Sequence, residues 1–223
     1  MLQKFNYFEQ IVISKRNILK NKLLLITEFI LVFYFLPVSL YLKLFAIPNL
    51  AILLLLTIPA LYFLISDNRF NNGQLITINC PYKFLFSLTI RFILSIALII
   101  SFLFIFLPDI IVNSSDNKWQ ILYTSIFYLF FSVIPQEILY RAFLFHRYGA
   151  IFKGKHISVA INTFTFSFAH IVYGNWVAVF LTLIGGYFFC KTYQKARSLV
   201  ITIIEHFLYG LMVFLLGLEK YFI

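Results

Sequence analysis

The sequence predicts an all-α, polytopic membrane helical bundle of about seven transmembrane helices, with its N-terminus in the cytoplasm. Three observations lead there. The 223 residues are 62% hydrophobic and only 12% charged, with a mean hydropathy of +0.93. A water-facing domain carries roughly a quarter charged residues, so this chain cannot cover a solvated surface. Continuous apolar runs recur near 23–42, 49–66, 84–107, 120–141, 157–173, 176–191 and 198–217. Each is close to the ~20 residues that a helix needs to cross a hydrocarbon core of roughly 30 Å. Basic residues, finally, fall on alternate loops.

The runs show no period-two alternation, which argues against a β-barrel. The first is too long for a signal-peptide core and has no small-residue cleavage site after it, so it reads as an uncleaved span. Of the 18 Lys and Arg, thirteen lie before the first span or in the 67–83, 142–156 and 191–197 loops. Lys43, Lys118 and Lys220 lie in the opposite loops, and Arg91 and Arg141 lie within or at the ends of spans. That asymmetry places the N-terminus in the cytoplasm. The +10 net charge is then topology and contact with anionic membrane lipid, and no nucleic-acid partner is needed to explain it. Cys80 and Cys190 form neither a CxxC nor a zinc spacing.

Four segments follow. Residues 1–22 are a basic N-terminal stretch with interspersed apolar residues, either an interfacial helix or a mobile tail. Residues 23–118 hold the N-terminal spans, 119–217 the spans with the unusual polar residues, and 218–223 the C-terminal tail. Asn68–Gly73 and Pro108–Asn117 read as turns.

Charges within spans cost ~2.5–3.5 kcal/mol on insertion scales, so each is a functional candidate. Glu28, near one end of the first span, reads as structural, and Arg91 as a snorkelling group or the partner of a carboxylate. A different group stands out: Gln136, Glu137 and Arg141 on the fourth span, His170 on the fifth, Glu205 and His206 on the seventh. Glu137 and Arg141 are four apart and share a helix face. Counted at about 1.5 Å per residue from the nearest inner-side basic residue, Glu137, His206 and His170 lie at roughly 15, 13 and at most 23 Å depth. One buried His is ordinarily a packing residue; three converging spans suggest a site. A Glu and two His would serve either as zinc ligands or as a metal-free device that activates water and stabilises an oxyanion. There is no HExxH and no GxSxG, and metal-free water activation, with no cofactor and no metal, is the expectation. Water would enter from the cytoplasm between the fourth, fifth and seventh spans.

The stretch Pro135-Gln136-Glu137-Ile138-Leu139-Tyr140-Arg141 resembles the EExxxR motif of the CPBP family, the CAAX proteases and bacteriocin-processing enzymes also called Abi. Phe166-Ser167-Phe168-Ala169-His170 is similar to its FxxxH motif, and the last span with His206 to the segment carrying its HxxxN motif. The resemblance covers residues 119–217 and implies an intramembrane glutamic endopeptidase acting on a membrane-proximal or CAAX-like peptide. By that resemblance His170 helps hold the attacking water, His206 helps stabilise the oxyanion and Arg141 braces the motif. In two places the chain departs from the pattern. Gln136 stands where the family has its first Glu, and Gly210 stands four residues after His206 where it has Asn.

An amide cannot take a proton from water, which leaves three accounts. Glu137 serves as the base; or Glu205 contributes, with Asn175 or Tyr209 replacing the missing donor; or the chain binds peptide without cutting it, as an immunity or regulatory factor would. A small transporter is a further alternative, against which stands the lack of repeat symmetry. Gly185-Gly186 reads as a close helix contact. The Lys/Asn/Ile/Phe-rich composition suggests a bacterial cytoplasmic membrane. Oligomeric state is not legible.

Overall fold

The computed structural model describes residues 21–78, 80–106 and 118–222. The expected interfacial helix before residue 21 and the turn at 108–117 lie outside them. Helices occupy all seven predicted runs: α1 (Asn21–Tyr41), α2 (Asn49–Ser66), α3 (Tyr82–Phe106), α4 (Trp119–Tyr148), α5 (Lys155–Ala169), α6 (Trp176–Ala196) and α7 (Leu199–Leu215). There is no strand among the described residues. Five of the helices (α1, α2, α3, α4 and α6) are long and apolar enough to cross a membrane, whereas α7 is apolar but shorter. Helix α5 has 15 residues and continues into a 3-10 turn, His170–Tyr173. The chain is therefore an all-α membrane bundle with five helices of full spanning length among the described residues.

Two helices widen locally, and in each a widened stretch lies just before a proline. A proline within a helix crowds the carbonyl four residues before it. The carbonyls facing Pro37 and Pro135 belong to Phe33 and Phe131, and both fall in π-helical stretches, Leu31–Phe35 and Leu129–Val133. One extra residue in the turn relieves the crowding. A second π stretch, Ile138–Phe143, follows in α4, so Ile134–Glu137 is a single α-helical turn between two widened ones. Side chains start the last two helices: Asn175 accepts from Ala178 N, and Ser198 from Ile201 N.

The core lies between α1, α2, α4, α5 and α6, where Phe29, Phe33, Tyr140, Tyr148, Phe166 and Phe189 are buried together. At the end of the bundle carrying the basic loops, Glu28 accepts from Arg147 Nη2 at 2.8 Å and from Tyr148 Oη at 2.8 Å. Nearby, His146 Nε2 and Asp67 Oδ2 are 3.0 Å apart. Glu28 thus has the structural role expected of it. Helix α3 is peripheral, with no residue of Tyr82–Ser101 buried. An ion pair between Arg91 and Glu205 ties it to α7, as does a hydrogen bond from Tyr209 Oη to Ser95 Oγ at 3.1 Å.

Candidate active site

The single α-turn of α4 sends neighbouring residues to different surroundings, because successive residues point about 100° apart. Glu137 faces α7: its Oε1 accepts from His206 Nδ1 at 2.8 Å, and its Oε2 lies 3.3 Å from Arg141 Nε. Glu137 and Arg141 are both wholly buried. Arg141 Nη1 donates to Asn162 Oδ1 at 2.6 Å, and its guanidinium lies over the Phe166 ring at 4.5 Å. Asn162 in turn donates to the Tyr140 carbonyl and accepts from Cys190 Sγ at 2.8 Å. A buried carboxylate is tolerable only when paired and hydrogen-bonded in this way.

Gln136 points the other way. Its Nε2 donates to Ser132 Oγ at 2.7 Å, and its Oε1 has no hydrogen-bond partner. It lines a cavity of ≈ 130 Å³ together with His170, Ser132, Tyr140 and Tyr173. That is room for several waters, at roughly 10–15 Å³ each on this measure. His170 Nδ1 donates to the Phe166 carbonyl at 2.8 Å, which leaves Nε2 as its acceptor nitrogen. His206 is constrained the same way, because a carboxylate can only accept from its Nδ1–H. Its ring stacks on Phe189 with centroids 4.5 Å apart. The Phe166 ring touches both imidazoles, at 4.8 Å from His170 and 5.7 Å from His206.

The sequence-predicted residues therefore divide into two sets. Glu137, His206 and Arg141 form one buried network, while Gln136 and His170 line the adjacent cavity. Glu205 belongs to neither: it pairs with Arg91, which is one of the two readings the sequence left open for that arginine. The suggested substitutes for a donor at position 210 are also engaged elsewhere. Asn175 donates to the Tyr221 carbonyl at 2.7 Å and caps α6, and Tyr209 donates to Ser95. What fills that place is Tyr128. A Cβ built on Gly210 would lie 2.4 Å from the Tyr128 hydroxyl oxygen and 2.2 Å from its ring. Gly186 meets its packing role, since a Cβ there would press on Phe166 Cδ1 at 2.9 Å.

The access route differs from expectation. The cavity is bounded by α1, α2, α4, the end of α5 at Ala169 and the 170–173 turn, with no residue of α7 in its lining. The reason is the facing of Gln136 and His170, which turns the open space away from α7 and its aromatic contacts. Asn162 and Tyr128 were missed in the sequence. Asn162 left a faint signal, as an amide in an apolar helix eight residues before His170. Tyr128 left none apart from the glycine it displaces.

Among the described residues no group of three or more His, Cys, Asp or Glu is placed to hold a metal ion. The donors are instead committed to each other, Glu137 to His206 and Arg141, and Glu205 to Arg91.

Residues 118–212 match the family model for type II CAAX prenyl endopeptidases, Rce1-like. This segment is Rce1-like. It runs from the start of α4 into α7 and includes Gln136, Glu137, Arg141, His170, Glu205 and His206. Searches of the curated proteins and of the solved structures find no match for the chain. The Rce1-like match and the apolar helices together support an integral membrane protein of the CAAX-protease kind.

Proposed function

We propose that the chain is an intramembrane endopeptidase that hydrolyses a peptide bond in a membrane-proximal or CAAX-like substrate with a water activated by glutamate and histidine. The observation that carries this reading is the 2.8 Å hydrogen bond between Glu137 and His206, buried beside a cavity that holds His170. Glu137 fixes His206 as the Nδ1–H tautomer and supplies the negative charge that stabilises its protonated form during turnover, so the carboxylate works through the imidazole. Both imidazoles pack on the Phe166 ring, and in the substrate complex the attacking water moves from the cavity wall to the place between them, where His170 Nε2 accepts one hydrogen and His206 Nε2 takes the other as a proton. The water oxygen bonds to the scissile carbonyl carbon. The C–N bond then breaks, the leaving amine receives the proton from His206, and a carboxylic acid and an amine result. Gln136 lines the cavity beside the bound peptide. Tyr128 Oη, beside Gly210, supplies a donor on the α7 side of the site. The membrane is taken to be a bacterial cytoplasmic one, with the N-terminus inside.

A second reading has one observation in its favour: no carboxylate lines the cavity. A chain that binds a peptide there without cutting it fits that fact. The experiment compares peptide and membrane-protein termini in cells carrying wild type, Glu137→Gln or His206→Ala at matched accumulation. Termini present only with wild type are expected. Identical termini in all three would leave the binding protein as the correct reading.

A further inference from the structure

We propose that a groove on the outer wall of α5 and α6 binds one anionic phospholipid, its phosphate at Lys191 and His156 and an acyl chain along the slot beyond them. The inference is independent of the proteolytic reading. Two hydrogen bonds set the antiparallel register of these helices. Gln194 Nε2 donates to the Lys155 carbonyl at 3.2 Å near one end, and Ser167 Oγ donates to the Val179 carbonyl at 2.7 Å near the other. His156 is thereby level with Lys191, Ala160 with Tyr187 and Phe164 with Leu183.

Between the two bonds lies a groove of ≈ 430 Å³, against ≈ 130 Å³ for the cavity at Gln136. Each helix lines it with one stripe of residues three and four apart. Ala160 opens the slot: on α5 its methyl stands between the larger His156 and Phe164 of the same face. Phe164, Ile184 and Tyr187 are exposed on its rim, so the groove faces away from the core. From His156 to Phe164 is about 12 Å of helix, within the ~15 Å that one leaflet contributes to the hydrocarbon core.

The groove is cationic at one end only. Lys191 Nζ lies 5.9 Å from the centroid of the Tyr187 ring on the rim, His156 offers a ring N–H, and Lys153 and Lys155 stand at the start of α5. Among the described residues none of these three lysines makes an ion pair: Glu28, Asp67, Glu137 and Glu205 are engaged with Arg147, Arg69, Arg141 and Arg91. The other end is formed by Phe164, Leu183 and Ile184. An uncompensated cationic rim above an apolar slot between membrane helices complements an anionic head on a hydrocarbon chain. A peptide segment would leave backbone groups unpaired against the apolar walls, and a soluble anion has no use for the slot.

Native mass spectrometry of the full chain in non-ionic detergent, titrated with phosphatidylglycerol or phosphatidylcholine of matched chains, tests the site. Wild type should bind one phosphatidylglycerol at least about tenfold more tightly than phosphatidylcholine. Lys191→Gln should weaken phosphatidylglycerol about fivefold and leave phosphatidylcholine unchanged. Ala160→Trp, which fills the slot from an exposed position, should remove the tight phosphatidylglycerol. Lys22→Gln, the same loss of charge on α1 outside the groove, should change neither lipid. Equal affinity for the two lipids, an equal loss with Lys22→Gln and Lys191→Gln, or a tight lipid retained in Ala160→Trp overturns the proposal. So does a dimer that Ala160→Trp renders monomeric, because the groove would then hold a second copy of the chain. Ala160→Phe replaces Ala160→Trp if that variant does not accumulate.

Discussion

Gln136 and Glu137 are adjacent in the chain yet serve different spaces: the amide lines the cavity while the carboxylate is sealed against His206 and Arg141. Charge is kept out of the open space and held in the packed interior. Replacing Gln136 by Glu would put an acceptor for protons directly beside His170. General-base assistance is worth ~10²–10⁴-fold, and Gln136→Glu is expected to raise turnover by at least about tenfold in a peptide-cleavage assay on purified protein. A fall in turnover with normal folding would show that the amide itself is required.

Removing Glu137, His206 or His170 should abolish cleavage, but removing Glu137 and removing His170 should differ in their effect on stability. Glu137→Gln leaves the buried Arg141 without its counter-ion, and breaking a buried pair costs ~3–5 kcal/mol. His170→Ala, at the cavity wall, should lose activity at near-normal abundance. Thermal unfolding in detergent, measured beside cleavage, separates the two effects.

Tyr128 and a side chain at 210 exclude each other. Gly210→Asn alone is therefore expected to lose ~1–3 kcal/mol through overpacking. Tyr128→Ala with Gly210→Asn should restore much of it, a coupling that a double-mutant cycle reads directly. Additive costs would place the two groups out of contact.

Glu205 was legible as a buried carboxylate but not as a partner of α3, because sequence does not say which way a helix turns its faces. Glu205→Gln should weaken the attachment of α3 and lower the unfolding temperature while activity per folded molecule persists. A specific loss of turnover, with stability unchanged, would return Glu205 to the site.

At the end of the bundle carrying the basic loops, Asp67 accepts from Arg69 N, Nε and Nη2 and contacts His146. These bonds hold its carboxyl well below the usual carboxylate range. Its contribution to stability is thus complete above an unfolded-state pKa of ~3.9 and is lost as pH falls from there towards the folded-state value. Asp67→Asn should be less stable than wild type near neutrality, and the gap should narrow only below pH ~4. A gap independent of pH would assign the residue to the turn's backbone alone.

The helices and the residues at stake could be read from the sequence because burial in lipid demands long apolar runs and makes each polar exception conspicuous. Glu137, Arg141, His170 and His206 were found that way. What sequence could not supply was rotation about each helix axis. The π stretches around Ile134–Glu137 alter the turn angle without any residue type that announces it, apart from Pro135. Access was misjudged for the same reason: Gln136 and His170 were known, but not that they face α1 and α2. Asn162 and Tyr128 act through proximity across helices, which no spacing along the chain encodes.

The two widened turns that bracket Ile134–Glu137 have a mechanical consequence. Each stores one residue of slack. If the slack of the second passed into the first, the short segment between them would shift back by about 1.5 Å and screw back by about 100°. Glu137 would then stand where Gln136 stands, at the cavity wall, and leave His206. Acid and amide are in this sense two settings of one dial, with His206 and Arg141 as the detent that holds the present one.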